Sequence, residues 1–433
     1  MRKQLPAIIV MLLFMSNCVS TNNENTNEWG LNLTHLNHLY DDHKLKDDIE
    51  IGSIAIYADY PDYNKVSAAG EGFSCIDDVA RAIVVLADVD LLKEEEAMRK
   101  FEALIRFILH LQSANGYFYN FLNDDLSINR QGQTSENRAD WWSWRALWAL
   151  EAAYPFVKEN NPDLAKQMQV SIDKLLAVIT VDFAELNEEV KYLEGIPVAT
   201  WLPGGSAADQ AAVLILGLDL HYRRTEKEST KILMDKLARG IVLMQHGDEN
   251  QWPHAALFSW KNIWHAYGNV QAYALLKLYE TSNNEAYKEA ALRELDHFYE
   301  YSLETDFINY FKAEKSDSAF QIKEFERFAQ IAYGFRPMVF ACLEAYKQTG
   351  REIYVDKAIA IAAWLYGNND ADIHMYDPST GRCFDGLNKN GEINKNSGAE
   401  STLEALLILS AFKQYGIKPI VFHKKLKETL DKE

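Results

Sequence analysis

At 433 residues, with 63 acidic against 44 basic side chains and a formal net charge of −19, the chain would repel phosphates and anionic lipid, which disfavours nucleic-acid binding and favours a neutral ligand. Of its four cysteines, Cys18 stands alone near the start, and Cys75, Cys342 and Cys383 lie far apart with no CxxC or Cys/His cluster, so a disulfide framework and a zinc site are both disfavoured. Aromatics make up 12% and include ten tryptophans; most fill a large core, and the rest are candidates for stacking on sugar C–H faces.

Met1-Arg2-Lys3 and the apolar run Leu5–Met15 form a positive n-region and an h-region too short to span a bilayer comfortably, the pattern of an export signal. The run ends at Met15-Ser16-Asn17-Cys18, and a Ser/Thr/Asn/Glu-rich stretch follows. This resembles a bacterial lipoprotein signal over residues 1–18, with lipidation at Cys18 and a flexible tether over 19–28. The expected place is the bacterial cell envelope, outer membrane or periplasm, with membrane contact only through the lipid; the alternative is a secreted protein.

Beyond the tether, helical periodicity recurs almost throughout, and strand-like alternation is confined to pieces such as Ile51–Ala58 and Glu189–Leu193, so the class predicted is all-α. With no Pro/Gly/Ser linker in the middle, a single domain over 29–433 is expected, and a monomer. Strongly apolar helices are predicted to start near Asp77, Ala139, Ser206, Asn262, Phe325 and Gly398, 56 to 73 residues apart, the spacing of repeated helical pairs. Amphipathic helices over Glu94–Gln112, Pro162–Val181, Glu228–Gln245, Asn284–Leu303 and Ile353–Leu365 suit an outer layer. The sixth inner helix, Gly398–Tyr415, would take its partner from Leu31–Lys46 and close a ring of about six hairpins. Long loops rich in Gly, Asn, Trp and Tyr lead into the inner helices, where function is usually carried.

Four inner helices begin alike: Ser74-Cys-Ile-Asp77, Asn137-Arg-Ala-Asp140, Ser206-Ala-Ala-Asp209 and Ser397-Gly-Ala-Glu400. Each acid either closes a capping box with the residue three before it or faces a cleft formed by the converging helix starts. The box leaves out Asp78, Glu136 and Asp385, which are therefore the sharper candidates. Hydrolysis of a glycosidic bond needs one protonated and one ionised carboxyl, and a carboxyl among aromatic rings suits the acid. Because Asp140 precedes Trp141, Trp142 and Trp144, Glu136 or Asp140 is expected as acid and Asp78 as base. Asp77, Trp141, Trp142, Asp209, His265, Asn269, Tyr333, Arg336, Asp385 and Glu400 are the expected substrate-binding residues. Tyr333, His265 and Arg336 would equally serve a polysaccharide lyase. No HExxH, P-loop, GxGxxG or EF-hand pattern occurs, and neither metal nor cofactor is expected.

The chain resembles the six-hairpin glycosidase superfamily, which implies an (α/α)6 toroid and action on carbohydrate. A closer likeness is to a helical domain of uncharacterised bacterial proteins that is also found fused to some glycosyltransferases. The stretches that carry it are Ile76-Asp-Asp-Val-Ala-Arg-Ala82, Ser135-Glu-Asn-Arg-Ala-Asp140 leading into Trp144-Arg-Ala-Leu-Trp-Ala-Leu150, and Cys383-Phe-Asp-Gly-Leu387 followed by Asn396-Ser-Gly-Ala-Glu-Ser-Thr-Leu403. A glycan or oligosaccharide hydrolase using paired carboxylates is the leading expectation. A polysaccharide lyase and a non-catalytic glycan-binding lipoprotein are its rivals.

Overall fold

A computed structural model describes residues 28–46, 48–316 and 319–431. The proposed signal, Cys18 and all but the last residue of the tether lie outside these. Six inner helices run Ile76–Leu86, Trp141–Asn160, Ala208–Thr225, Gln271–Ser282, Ala332–Thr349 and Ala399–Gln414. Each packs on the next, and the last packs on the first, so the ring is closed. They are apolar on nearly every side because every side meets protein: almost all of Ala332–Ala345 and Ala399–Phe412 is buried.

Outer helices follow at Glu95–His110, Pro162–Ile179, Glu228–Leu243, Glu285–Arg293 and Ile353–Ala362. Glu95–His110 buries one stripe, turning Phe101, Leu104, Ile105 and Ile108 inward at helical spacing. Helix ends carry recognisable stops. Asn161 caps Pro162–Ile179 through its side chain, which accepts from Leu164 N–H at 3.1 Å, and Gly350 closes Ala332–Thr349 at φ 68°.

The last inner helix takes partners from both ends of the described chain. Thr34–Leu39, within the expected Leu31–Lys46, packs on it, while Tyr40–Lys44 of the same segment is a strand. Pro419–Leu430 packs on the outer helix Ile353–Ala362 and touches the last inner helix through Phe422 on Phe412, ring centroids 4.7 Å apart. The fold is also not purely helical. The loops before the inner helices pair into small antiparallel sheets, among them Tyr57–Asp59 with Asn64–Val66, Ser74–Cys75 with Phe121–Leu122, and Ile263–His265 with Tyr310–Ser316 and Ala319–Glu326. Long loops over a folded core must satisfy their own backbone groups, and hairpins do so. This is why the fourth and fifth inner helices begin at Gln271 and Ala332, later than the expected Asn262 and Phe325: strands end at His265 and Glu326 and short loops follow them, and Tyr310–Ser316 alternates buried and part-exposed positions as a half-buried strand does.

At Gly217 the third inner helix lies close against the second. A Cβ there would stand 2.8 Å from Leu147 Cγ and 3.0 Å from the Trp148 backbone nitrogen. Gly217→Ala is expected to destabilise by about 1–3 kcal/mol despite alanine's better helix propensity, read as a lower midpoint in urea denaturation. Among the described residues no helix is long and apolar enough to cross a membrane.

Candidate functional site

Where the inner helices begin, a cavity of about 580 Å³ opens, lined by Asp77, Asp78, Arg81, Trp141, Trp142, Arg145, Tyr267, Tyr333, Asp385, Glu400 and Ser401, with Tyr57, Glu71 and Asn120 from the loops. The size is that of small-molecule sites. The helices present their positive ends to it. In the first and last inner helices the acid is the second helical residue, and the preceding Ser or Asn is not the cap in any of the four repeats. Cys75, Asp140, Ala207 and Gly398 hold the cap positions. Ser74 Oγ instead accepts from Ile54 N–H (3.2 Å), and Ser397 Oγ from Cys383 N–H (3.2 Å). The capping-box alternative therefore fails for Asp77, Asp209 and Glu400, which are turned to other partners.

Two buried arginines, each flanked by apolar residues in its helix, organise the floor. Arg81 contacts Asp78 Oδ1 through Nη1 at 2.8 Å, Glu400 Oε2 through Nη2 at 2.9 Å and Glu404 Oε1 through Nε at 2.8 Å. Arg145 pairs with Asp77 and donates to the Tyr333 hydroxyl; Asn120 Nδ2 donates to the other Asp77 oxygen at 3.0 Å. Beneath them Arg336 Nε meets Glu404 Oε2 at 2.5 Å. The Tyr333 ring is covered by all three guanidiniums, at 4.7 Å from Arg81, 5.3 Å from Arg145 and 5.4 Å from Arg336.

The carboxyls differ in what is left free. Asp78 is buried, one oxygen on Arg81 and the other accepting from Cys75 Sγ at 3.2 Å; burial pushes its pKa up to about 6 although Arg81 opposes. Asp385 reaches across to the last inner helix, where its Oδ1 accepts from Gly398 N–H at 2.8 Å and from Ser401 Oγ at 2.6 Å. Its Oδ2 has no partner among the described residues, and burial holds its carboxyl above the usual range against those two hydrogen bonds, with Glu400 adding to the rise. Glu400 keeps 44% of its side chain exposed.

Of the residues proposed from sequence, Asp77, Asp78, Trp141, Trp142, Tyr333, Asp385 and Glu400 line this cavity. Glu136 and Asp140, expected to supply the acid, do not. Arg138 draws both away, at 2.9 Å from each, Glu136 is half-exposed, and Asp140 caps its own helix by accepting from Trp141 N–H at 2.9 Å. The expected base, Asp78, is in the wall with both oxygens engaged. Asp209 and His265 pair with each other behind the wall at 2.9 Å, Arg336 lies under the floor, and the Asn269 side chain is buried with no hydrogen-bond partner among the described residues. Sequence reasoning passed over Arg81, Arg145 and Glu404. The signal for both arginines was present, since an arginine inside an apolar run such as Trp144-Arg-Ala-Leu-Trp148 needs a buried acid.

No family model matches the chain, and no curated protein sequence does. Solved structures do match. A cellobiose 2-epimerase from Bacillus thermoamylovorans B4167 aligns over 90% of this chain and 97% of its own with a TM-score of 0.61 at 12% identity. A family 76 glycoside hydrolase from a bovine Bacteroides thetaiotaomicron strain covers 90% of this chain and 78% of its own, TM-score 0.57, 13% identity. The cellulase Cel9M of C. cellulolyticium, in complex with cellobiose, covers 85% and 88%, TM-score 0.51, 12% identity. The chain is thus structurally similar to proteins of the six-hairpin glycosidase fold, and at these identities the likeness is one of fold.

Proposed function

We propose that this chain is a glycoside hydrolase that acts outside the cytoplasm on a neutral glycan fragment. The observation that carries the reading is Asp385, a carboxyl with one oxygen unpartnered in an aromatic-walled cavity, beside a second and more open carboxyl, Glu400. Burial favours the protonated form of Asp385, so it is the group to protonate the leaving oxygen. Glu400, held by Arg81, is the carboxylate that activates water or attacks the anomeric carbon. Asp77, Asp78, Arg81 and Arg145 position the floor, and Trp141, Trp142, Tyr57 and Tyr267 offer ring faces to the sugar.

The sugar-acting proteins among the matching folds support the substrate class. The test is release of reducing ends from a panel of neutral oligosaccharides by the full chain, compared with Asp385→Asn and Glu400→Gln. Binding without turnover in the unmodified protein would leave a glycan-binding protein and sink the hydrolase.

A polysaccharide lyase is a second reading, favoured by the Tyr333 hydroxyl held by Arg145 at the cavity. It would form unsaturated, ultraviolet-absorbing ends and depend on Tyr333 with the acids dispensable. His265 and Arg336, which such a site would also use, do not line the cavity.

We place the protein in the envelope through a lipid on Cys18. Cys18→Ser is expected to move it from the detergent to the aqueous phase in a cloud-point partition of cells; unchanged partition argues for secretion without a lipid.

A further inference from the structure

Tyr267 stands half-exposed in the cavity wall, on a short segment between the strand Ile263–His265 and the fourth inner helix. The imidazole of His265 stacks on its ring, centroids 4.0 Å apart at 18°. Behind it, His265 Nδ1 lies 2.5 Å from the Tyr267 carbonyl oxygen, and Nε2 lies 2.9 Å from Asp209 Oδ2.

A proton count follows from these two distances alone. A carbonyl oxygen can only accept, so Nδ1 must carry hydrogen. The contact between Nε2 and a carboxylate oxygen needs a hydrogen as well, on the ring as an imidazolium facing a carboxylate or on Asp209 as a neutral acid facing a neutral ring. In both arrangements the pair holds one proton more than a neutral imidazole beside a carboxylate. With that proton gone, the Nε2 lone pair would face an anionic oxygen in a buried place, and the contact could not persist.

We propose that His265 is a positioning residue which, with Asp209, forms a proton-dependent latch fixing Tyr267 in the cavity wall. The other groups facing the latch are known. On the third inner helix, Asp209 Oδ1 accepts from Gln210 N–H at 2.6 Å. Ser259 holds both partners by its backbone and hydroxyl, taking Asp209 N–H at 3.2 Å and His265 N–H at 3.1 Å. Across the sheet Tyr310 is the residue opposite His265, and Tyr310 and Tyr333 are the titratable groups that face Tyr267 together with Asp209. No cation among these replaces the proton. Burial raises the Asp209 carboxyl while His265 opposes the rise, consistent with a pair that keeps a proton between them. Next to Tyr267, Gly268 packs against Trp141 of the cavity wall: at φ +78° a Cβ there would stand 2.8 Å from Trp141 Cη2.

The sign is fixed by the count. The latched wall holds the extra proton, so it is favoured at lower pH and lost as pH rises. That this changes catalysis rests on the hydrolase reading; the latch itself does not.

The experiment uses the full chain without substrate, labelled with 15N-histidine and 13C-tyrosine, the signals assigned through His265→Gln and Tyr267→Phe. On raising the pH, the His265 ring nitrogens and the Tyr267 ring are expected to change together at one midpoint. Asp209→Asn places an amide N–H where the proton was, so it should hold the latch with a neutral ring and abolish the coupled change at Tyr267. If that variant does not fold, His265→Gln, whose amide also donates to Asp209, should remove the Tyr267 transition. A His265 ring with an unengaged nitrogen at every pH, or a Tyr267 signal indifferent to the His265 transition, overturns the latch. Failure to find any glycan turned over would leave these spectra untouched, so the two readings fall separately.

Discussion

Asp385→Asn is expected to lower turnover by about 10²–10⁴-fold, the usual contribution of a positioned proton donor, while leaving the fold intact. The substitution is clean for a structural reason. Asparagine keeps a carbonyl oxygen to accept from Gly398 N–H and Ser401 Oγ, so the start of the last inner helix remains capped and only the titratable proton is lost. Asp385→Ala removes the acceptor too and should also cost about 0.5–2 kcal/mol, as loss of a cap does. Because burial and Glu400 raise the Asp385 carboxyl, its protonated fraction persists above the ordinary carboxylate range and then falls. The rate should therefore drop on the alkaline side, and that limb should vanish in Asp385→Asn. Initial-rate profiles across pH, with thermal unfolding as the control, decide it; an Asp385→Asn variant turning over at the unmodified rate removes Asp385 from the chemistry.

Glu404→Ala should be the most destabilising single change in the site, by about 3–5 kcal/mol. Glu404 is wholly buried and faces Arg81 Nε at 2.8 Å and Arg336 Nε at 2.5 Å. Its removal leaves one buried guanidinium with no carboxylate and another with one fewer. Glu400→Gln supplies the contrast. That side chain is 44% exposed and meets the outer edge of Arg81, so its contribution to stability is that of a solvent-screened pair, within about 1 kcal/mol, although turnover should collapse. Urea midpoints for the two variants separate a structural from a catalytic carboxylate four residues apart on one helix. Equal loss of stability in both would overturn that division.

Much of the ring was legible because an inner helix has no solvent face, and runs such as Leu403–Phe412 are apolar beyond what an amphipathic helix needs. The starts of the fourth and fifth inner helices were misjudged because Trp264, Phe311 and Phe325 read equally well as helix or strand core; only pairing across Ile263–Glu326 decides between them. Acidic residues could be found by type but not by destination. Glu136 and Asp140 look as promising as Asp385, and a single arginine two residues from each, Arg138, turns them aside. Asp385 owes its place to partners 13 and 16 positions later, which no local pattern announces. His265 was expected among the substrate-binding residues, and its strand position instead directs it onto Asp209.

Closure of the ring by its last helix on its first has a consequence for how the chain acquires its site. Arg81 and Glu400 are 319 residues apart, and Ala399 N–H donates to Ile56 O at 2.9 Å along the same seam. Contacts of such long sequence separation form late, and a growing chain folds its N-terminal hairpins first. Until residues beyond Gly398 are made, Arg81 and Asp78 face an open groove in which neither Glu400 nor Glu404 exists. Both guanidinium neutralisation and the second carboxyl then arrive in one step. Biosynthesis is therefore expected to yield no partly active intermediate up to Gly398: the site is silent in every product that ends before Glu400, and its chemistry reports that the last inner helix has docked.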